Sequence, residues 1–245
     1  MNLPKRIEPC PIKEAIIEVR FETNLPPEAV FGVVYNTLKD RYSNLEKLPI
    51  LQLPEVVRNS DPTLTHLPHY KLSKYPFTLQ IGSKVIALSI EESYSEWDDL
   101  VKESRYLFNI LNTLKFIEKV SRFAIRYINF FENMDIFQQI NLSISPENPL
   151  DNIAVISDQM SFRTLVKDKK FHTNLLISNN IEMVKIKENS KMNGSIIDLD
   201  TYLLNIEGEF FSKADELLLE AHSVEKTLFF SLLKEEFINT LNPEY

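Results

Sequence analysis

The residues best suited to chemistry are two arginines in a strand-like stretch near the middle of the chain. Arg122 and Arg126 belong to the segment 122–129, whose β-branched and aromatic residues favour a β-strand. Because side chains alternate across a strand, both arginines are predicted to lie on one face, opposite Phe123 and Tyr127. Guanidinium groups bind carboxylate or phosphate through paired hydrogen bonds, so this stretch predicts either ion pairing or anion binding.

Acidic residues that can pair with these arginines lie in two further strand-like stretches, 14–21 and 196–203. We predict that Arg126 is largely buried and meets one of their carboxylates, because an unpaired buried charge is very costly. The possible partners are Glu14, Glu18, Asp198 and Asp200. Acids and arginines occur here in similar numbers, which favours mutual pairing, and an anion site on the same sheet face is the alternative. The candidate ligand-binding residues are Glu18, Arg20, Arg122, Arg126, Asp198 and Asp200.

Several common kinds of site are disfavoured by the sequence. The chain has only four glycines, which are far apart, whereas the glycine-rich loops that bind phosphates need several within a few residues. Serine occurs in no Gly-x-Ser-x-Gly motif, and Cys10, which lies between two prolines, is a poor candidate nucleophile. We therefore predict no cofactor and assign no catalytic residue.

The histidines are interpreted as structural residues. His66 and His69 flank a proline and lack further ligands nearby in sequence, so we interpret them as surface-loop histidines rather than a metal site. His222 lies beside the apolar stripe of the last predicted helix, with Glu225 three residues later. A packed, hydrogen-bonded histidine is favoured there over a general base.

Composition indicates a folded cytoplasmic protein without a membrane span. Of its 245 residues 44% are hydrophobic, and a single cysteine rules out an internal disulfide, which fits a reducing compartment. No apolar stretch has the length of a membrane helix, and the N-terminus does not resemble a signal peptide. The net charge of −8 disfavours a protein that coats nucleic acid.

One segment departs from this acidic composition. Between Met160 and Met192 there are seven basic residues against three acidic ones. A solvated hairpin is the favoured interpretation, and contact with nucleic acid through this segment is left open.

The order of predicted elements indicates an α+β protein with a mostly antiparallel sheet covered by helices, as a single compact domain 1–245. Residues 1–12 are predicted to form an extended N-terminal arm because they include three prolines. Helices are predicted at Pro27–Ser43, Ser95–Thr113 and Ser212–Leu241, the last two beginning with capping boxes. A hairpin is predicted at Tyr75–Glu91, and later strands at Ile153–Ile156, Ser161–Val166, Phe171–Ile177, Glu182–Lys187 and Ile196–Leu203.

An ordered set of short motifs spans nearly the whole chain. They are Pro11 with Glu14–Phe21, Tyr94–Trp97, Arg122, Arg126–Asn129, Leu199–Asp200, and His222 followed by Glu225–Lys226 and Phe229–Phe230. In this combination the chain resembles a sporadically distributed family of bacterial and archaeal proteins of similar length. The resemblance implies one full-length domain and an association with mobile defence and toxin–antitoxin loci, but no reaction.

Two functions follow as hypotheses. The first is a non-enzymatic interaction or regulatory subunit of a prokaryotic defence or toxin–antitoxin system, with a protein partner in a hetero-complex or homo-oligomer. The second is a binder or hydrolase of phosphate-bearing ligands, such as a nucleotide or polyphosphate, on the charged sheet face. Whether the protein is an enzyme is left open.

Overall fold

A nine-stranded antiparallel sheet is the frame on which the charged residues are placed. The computed structural model describes residues 3–91, 97–143, 159–185, 190–206 and 209–245. Within these ranges the strands are β1 Ile12–Thr23, β2 Asn44–Lys47, β3 Tyr70–Lys74, β4 Phe77–Ile81, β5 Val85–Glu91, β6 Ile117–Glu132, β7 Ser161–Asp168, β8 Phe171–Lys185 and β9 Ser190–Leu204. The strand order across the sheet is β2-β3-β4-β5-β1-β6-β9-β8-β7.

The same described ranges contain five α-helices and two short 3-10 turns. The helices are α1 Pro27–Leu38, α2 Glu55–Ser60, α3 Trp97–Leu114, α4 Phe210–Leu232 and α5 Glu235–Thr240, and the turns are Pro49–Gln52 and Ile136–Gln138. This content confirms the predicted α+β class with an antiparallel sheet. None of the helices described is long and apolar enough to cross a membrane.

The chain clusters into two compact units, so the predicted single domain is not confirmed. We call Met1–Lys13, Tyr127–Thr201 and His222–Tyr245 the terminal unit, and Glu14–Arg126 with Tyr202–Ala221 the central unit. Each is described separately below.

In the central unit, β1 has one apolar and one polar face. Ala15, Ile17, Val19 and Phe21 are at most 2% exposed, while Glu14, Glu18 and Arg20 on the other face are half-buried. This alternation confirms the predicted strand, since the side-chain period of a strand is two. Helix α1 buries Val30, Val34 and Leu38 at helical spacing, and it packs against α3.

In the terminal unit, strands and helices share an apolar core. Ile177 of β8 and Leu199 of β9 are buried with Phe229 and Phe230 of α4 and Phe237 of α5. The N-terminal residues are held by the C-terminus, because Arg6 pairs with Glu244 as an isolated β-bridge.

Close backbone packing explains one glycine of the terminal unit. A Cβ atom at Gly194 on β9 would clash with the carbonyl oxygen of Phe131 on β6. A larger residue at this position would force the two strands apart.

The predicted last helix, Ser212–Leu241, is wrong in both its start and its continuity. Helix α4 begins at Phe210, so Ser212 is inside the helix and is not a cap, although its hydroxyl donates to the carbonyl of Glu209. The helix then ends at Leu232, because the backbone next to the break bonds elsewhere. The amide of Lys234 donates to Gln139 O at 2.9 Å, and the amide of Asn141 donates to Leu232 O at 2.7 Å.

Two further boundaries differ from the prediction. Helix α1 ends at Leu38 rather than Ser43, because the chain turns there and places Tyr42 in the core at 0% exposure. The predicted strands Phe171–Ile177 and Glu182–Lys187 belong to one strand, β8, as far as Lys185, and residues 186–187 lie outside the described residues. Between the two predicted strands, the side chain of Asn179 bonds Ser195 Oγ at 2.7 Å and Ile136 N at 3.1 Å.

The remaining predicted elements have separate outcomes. The hairpin at Tyr75–Glu91 is confirmed as β4 and β5. The basic segment contains the β7–β8 hairpin, in which Arg163 and Lys167 are exposed, as expected for a solvated hairpin. The predicted strand Ile153–Ile156 and the cap residue Ser95 lie outside the described residues.

Candidate anion-binding site

Glu18 is the centre of a charged cluster on the polar face of the central unit. Neighbouring strands β1 and β6 supply its partners, because Glu18 and Arg20 share one face of β1 and Arg122 extends from β6. Arg20 donates to both carboxylate oxygens of Glu18, from Nε at 2.7 Å and from Nη2 at 3.3 Å. Arg122 donates from Nη1 to Oε1 of the same carboxylate at 2.5 Å. One carboxylate therefore serves two guanidinium groups.

The two arginines differ in their access to solvent. The side chain of Arg122 is 11% exposed, whereas that of Arg20 is 34% exposed. The guanidinium carbon of Arg122 also lies 4.7 Å from the centre of the Tyr202 ring, a cation–π contact that restrains its orientation. The guanidinium group of Arg122 is thus largely buried and restrained, whereas that of Arg20 is more accessible to solvent.

His66 and Lys84 interact electrostatically with these charges from outside the two strands. Burial lowers the pKa of His66, and the positive charges of Arg20, Lys84 and Arg122 lower it further, opposed by Glu18. His66 is half-buried and Lys84 is exposed at the turn between β4 and β5. We call Glu18, Arg20, His66, Lys84, Arg122 and Tyr202 the β1–β6 cluster. It contains three permanent cations, those of Arg20, Lys84 and Arg122, and the carboxylate of Glu18.

The six predicted site residues are thus only partly brought together by these contacts. Glu18, Arg20 and Arg122 contact each other in the central unit. Arg126 is half-buried, and the prediction that it meets a carboxylate stays a prediction. Asp198 and Asp200 belong to the terminal unit, where Asp198 is 8% exposed and Asp200 accepts a hydrogen bond from Asn174 Nδ2 at 3.1 Å.

Three members of the cluster were missed from the sequence. The interpretation of the two loop histidines as surface residues is wrong for His69, which is 8% exposed, whereas His66 is half-buried in a turn. Tyr202 could have been found by extending the alternation of Asp198 and Asp200 two residues along the same strand. Lys84 carried no local signal, because the pairing of Arg20 with Val85 that places it nearby is a long-range contact.

A second charged network of the central unit is closed and structural. Glu103 of α3, only 4% exposed, accepts hydrogen bonds from Arg41 Nε at 2.8 Å and Tyr42 Oη at 2.6 Å. Burial opposes ionisation of Glu103, but these hydrogen bonds outweigh it and lower its pKa. Arg41 also lies over the Tyr106 ring at 4.2 Å. Because Glu103 is engaged by Arg41 and Tyr42, and Arg41 also contacts Tyr106, we assign this network to the stability of the fold.

The terminal unit contains two buried titratable side chains on α4, those of His222 and Glu225. Tyr127 Oη lies 3.3 Å from Nδ1 of His222, so the histidine has a hydrogen-bonding neighbour. Burial, with a smaller effect of Lys226, lowers the pKa of His222 to about 3. Burial raises the pKa of Glu225, which is 5% exposed, to about 8. Both groups are therefore held mainly in their neutral forms at neutral pH.

No three His, Cys, Asp or Glu side chains of the described ranges are grouped so as to hold a metal ion. Comparison of the sequence with known proteins finds no matching family model and no matching curated protein. The resemblance drawn from the short motifs therefore stays a prediction.

Proposed function

We propose that the protein binds a phosphate-bearing ligand at the β1–β6 cluster. The observation that carries this proposal is the sharing of the Glu18 carboxylate by Arg20 and Arg122, with Lys84 adding a further positive charge near His66. A phosphate group would provide oxygen acceptors for these cations. Arginine suits this role because its planar guanidinium binds phosphate oxygens in pairs.

The accessibility of the cluster supports a ligand that approaches from the Arg20 side. Arg20 and Lys84 are the exposed cations, and Arg122 is held behind them by Glu18 and Tyr202. A phosphate bound by Arg20 and Lys84 would offset the charges that lower the pKa of His66. Protonated His66 would then favour the bound anion as well.

Binding is proposed rather than hydrolysis. Enzymes that cleave phosphates commonly use carboxylates that hold metal ions or activate water. The carboxylate of Glu18 in the β1–β6 cluster is engaged by two arginines. It is therefore poorly placed to ligate a metal or to accept a proton.

A thermal-shift series tests the proposal. Phosphate, pyrophosphate, tripolyphosphate and a nucleoside triphosphate are compared at constant ionic strength, so that general salt effects are matched. A ligand at about 100 times its Kd stabilises by about 2.7 kcal/mol, which for this size raises Tm by about 5–10 °C. Absence of any shift across the series would overturn the proposal.

Single-residue variants test whether the ligand-induced rise in Tm comes from the β1–β6 cluster. Arg20→Ala and Lys84→Ala should reduce it strongly, whereas Lys102→Ala, which removes an equal charge at a side chain 73% exposed on α3, should not. Binding should also tighten as the pH falls and His66, whose pKa is lowered in the empty protein, takes up a proton, and His66→Gln should abolish that tightening. Equal ligand shifts in all variants would assign the effect elsewhere.

The role of a non-enzymatic regulatory subunit in a defence or toxin–antitoxin system remains a proposal that rests on the motif resemblance. A ligand-binding protein is compatible with it, because a bound phosphate-bearing ligand can regulate association with a partner. Affinity purification from the native host tests it, and recovery of the chain alone as a monomer would count against it.

A further inference from the structure

Strand β7 forms an edge of the sheet in the terminal unit. It pairs with β8 along its whole length, from Ser161 opposite Ser178 to Asp168 opposite Phe171, and it stands last in the strand order. Among the described residues no strand pairs with its other side. This edge is separate from the β1–β6 cluster, which belongs to the central unit.

The hydrogen-bond pattern shows which backbone groups of β7 point away from β8. The amide of Asn179 donates to Met160 O at 3.0 Å, so these two residues, which continue the β7–β8 register, form a hydrogen-bonded pair. In an antiparallel ladder such pairs alternate with pairs that exchange no hydrogen bond. Counting from Met160, every second residue bonds to β8, and the residues between point their amides and carbonyls to the open edge. The latter are Ser161, Arg163, Leu165 and Lys167.

The residues with outward backbone groups also carry the exposed side chains of β7. Leu165 is 55% exposed and lies between Arg163 and Lys167 on one face of the strand, where both bases are exposed as well. On the other face, Phe162 and Val166 pack against the apolar core of the terminal unit but are only half-buried. The edge therefore offers backbone hydrogen bonds, two cations and apolar surface to an added strand.

A second copy of β7 is a poor occupant of this edge. Antiparallel pairing centred on Leu165 would place Arg163 opposite Lys167 of the second copy, and like charges directly opposite destabilise a sheet. Pairing centred on Thr164 would avoid that contact but would still gather both pairs of bases on one face without an acid among them. Basic side chains on an edge strand commonly prevent such self-association. The charges of β7 therefore select an acidic partner.

We propose that β7 docks an extended acidic segment of a partner protein, which adds to the sheet as a further antiparallel strand. Two acidic residues of that segment, four positions apart, lie opposite Arg163 and Lys167. The apolar residues next to them in sequence face the other way and cover Phe162 and Val166. Main-chain hydrogen bonds supply affinity in this mode of recognition, and the side chains supply specificity.

A protein strand fits this edge better than nucleic acid does. Nucleic acid is bound mainly through its phosphates, which use cations but neither an open strand edge nor an exposed leucine. The docking proposed for β7 is independent of phosphate binding at the β1–β6 cluster. It gives a mode of recognition to the protein partner of the proposed regulatory role.

Calorimetric titration of the full chain with synthetic peptides tests the proposal. The probe is acetyl-Ser-Glu-Val-Thr-Val-Glu-Ser-amide, and one control peptide has lysine in place of both glutamates. A second control carries N-methyl groups on both glutamates and the threonine, which removes the amide donors that would face β7. We expect a Kd below about 1 mM for the probe and at least about tenfold weaker binding of each control.

Three results of these titrations would overturn the proposal. The first is no binding of the probe up to about 5 mM, which exceeds the expected Kd severalfold. The second is equal binding of either control peptide, because neither the acidic pair nor the backbone would then matter. The third is binding of a single-stranded RNA oligonucleotide in preference to the probe at about 150 mM salt, which would assign the basic edge to nucleic acid.

Charge reversal assigns the binding to β7. The double variant Arg163→Glu with Lys167→Glu should bind the glutamate peptide at least about tenfold more weakly and should bind the lysine peptide instead. Lys47→Glu, at an exposed position on the edge strand β2, is the matched control and should leave both affinities unchanged.

Leu165→Pro gives an independent variant, because it removes an amide that faces the open edge and leaves the bonds to β8 in place. It should lower affinity for the glutamate peptide at least about tenfold, and circular dichroism melts verify that each variant is folded. Unchanged affinity for that peptide in the charge-reversal variant and in Leu165→Pro would refute the assignment, whatever the response of the β1–β6 cluster to phosphate.

Discussion

At the residue scale, the shared carboxylate of Glu18 decides how the β1–β6 cluster behaves. Two guanidinium groups depend on it, and the side chain of one of them, Arg122, is only 11% exposed. The same carboxylate thus accepts hydrogen bonds from both guanidinium groups. The stability of the empty protein and its affinity for anions are therefore coupled through this one side chain.

Replacing Glu18 by glutamine should lower stability and increase the response to phosphate. Loss of a charged acceptor used by two partly buried arginines is expected to cost about 1–3 kcal/mol. Phosphate should then stabilise Glu18→Gln by more than it stabilises the wild type. Denaturant unfolding with and without phosphate measures both effects.

Glu8→Gln is the matched control, because Glu8 pairs with Arg6 at 3.3 Å but its side chain is 61% exposed. A surface pair of this kind contributes little, so the change should stay within about 0.5 kcal/mol. If Glu18→Gln is as stable as the wild type and responds equally to phosphate, the cluster has been misinterpreted.

Glu103 offers a residue-scale test of the structural network. Glu103→Ala leaves Tyr42 Oη buried without its acceptor and Arg41 without its carboxylate. Because the Arg41 side chain is 36% exposed, we expect a cost of about 2–3 kcal/mol, below the range for fully buried pairs. Urea unfolding compared with Glu46→Ala, at an exposed position on β2, measures it, and equal stability of the two variants would contradict the assignment.

At the element scale, replacement of glycine by alanine is expected to have opposite effects on stability at Gly32 and at Gly194. Gly32 lies within α1, and a Cβ there meets nothing within 4 Å, so Gly32→Ala should stabilise by about 0.4–1 kcal/mol. Gly194→Ala should destabilise by about 1–3 kcal/mol, because its Cβ would clash with the backbone of Phe131. Thermal melts of the two single variants test this pair, and a stabilising Gly194→Ala would show that β6 and β9 approach less closely.

The elements also show why some boundaries followed from the sequence and others did not. The alternation in β1 is local, so the buried and polar faces could be assigned from the residue types of Glu14–Phe21 alone. The end of α4 could not be predicted in this way, because the apolar stripe continues past Leu232 while the backbone at Lys234 bonds to Gln139. Periodicity indicates which residues can form a helix, and competing long-range hydrogen bonds decide where it stops.

At the scale of the whole molecule, His222 and Glu225 shape the dependence of stability on pH in opposite directions. Burial raises the folded pKa of Glu225 from its ordinary value of 4.5 to about 8, so its contribution is present below pH 4.5 and is lost as pH rises towards 8. Burial lowers the folded pKa of His222 from its ordinary value of 6.5 to about 3, so its contribution is present above pH 6.5 and is lost as pH falls towards 3. Each changes stability by at most about 1.4 kcal/mol per pH unit.

These two effects oppose one another between pH 4.5 and 6.5, where we expect a plateau of stability with losses on both sides. Glu225→Gln should remove the loss above pH 6.5, and His222→Gln should reduce the loss below pH 4.5. Urea unfolding across this pH range measures the profile of each variant. An unchanged slope above pH 6.5 in Glu225→Gln would exclude Glu225 as its cause.

The sequence by itself determined the fold class and the placement of Glu18, Arg20 and Arg122 on polar strand faces. It could do so because side chains alternate between the two faces of a strand, so the types of neighbouring residues show which face is polar. Only the tertiary structure decided that Arg122 and Arg20 share one carboxylate and that His66, Lys84 and Tyr202 join them. It likewise brought Arg58 to His69 and stacked Phe31 on Tyr70, because strand order and loop packing join residues that no local pattern relates.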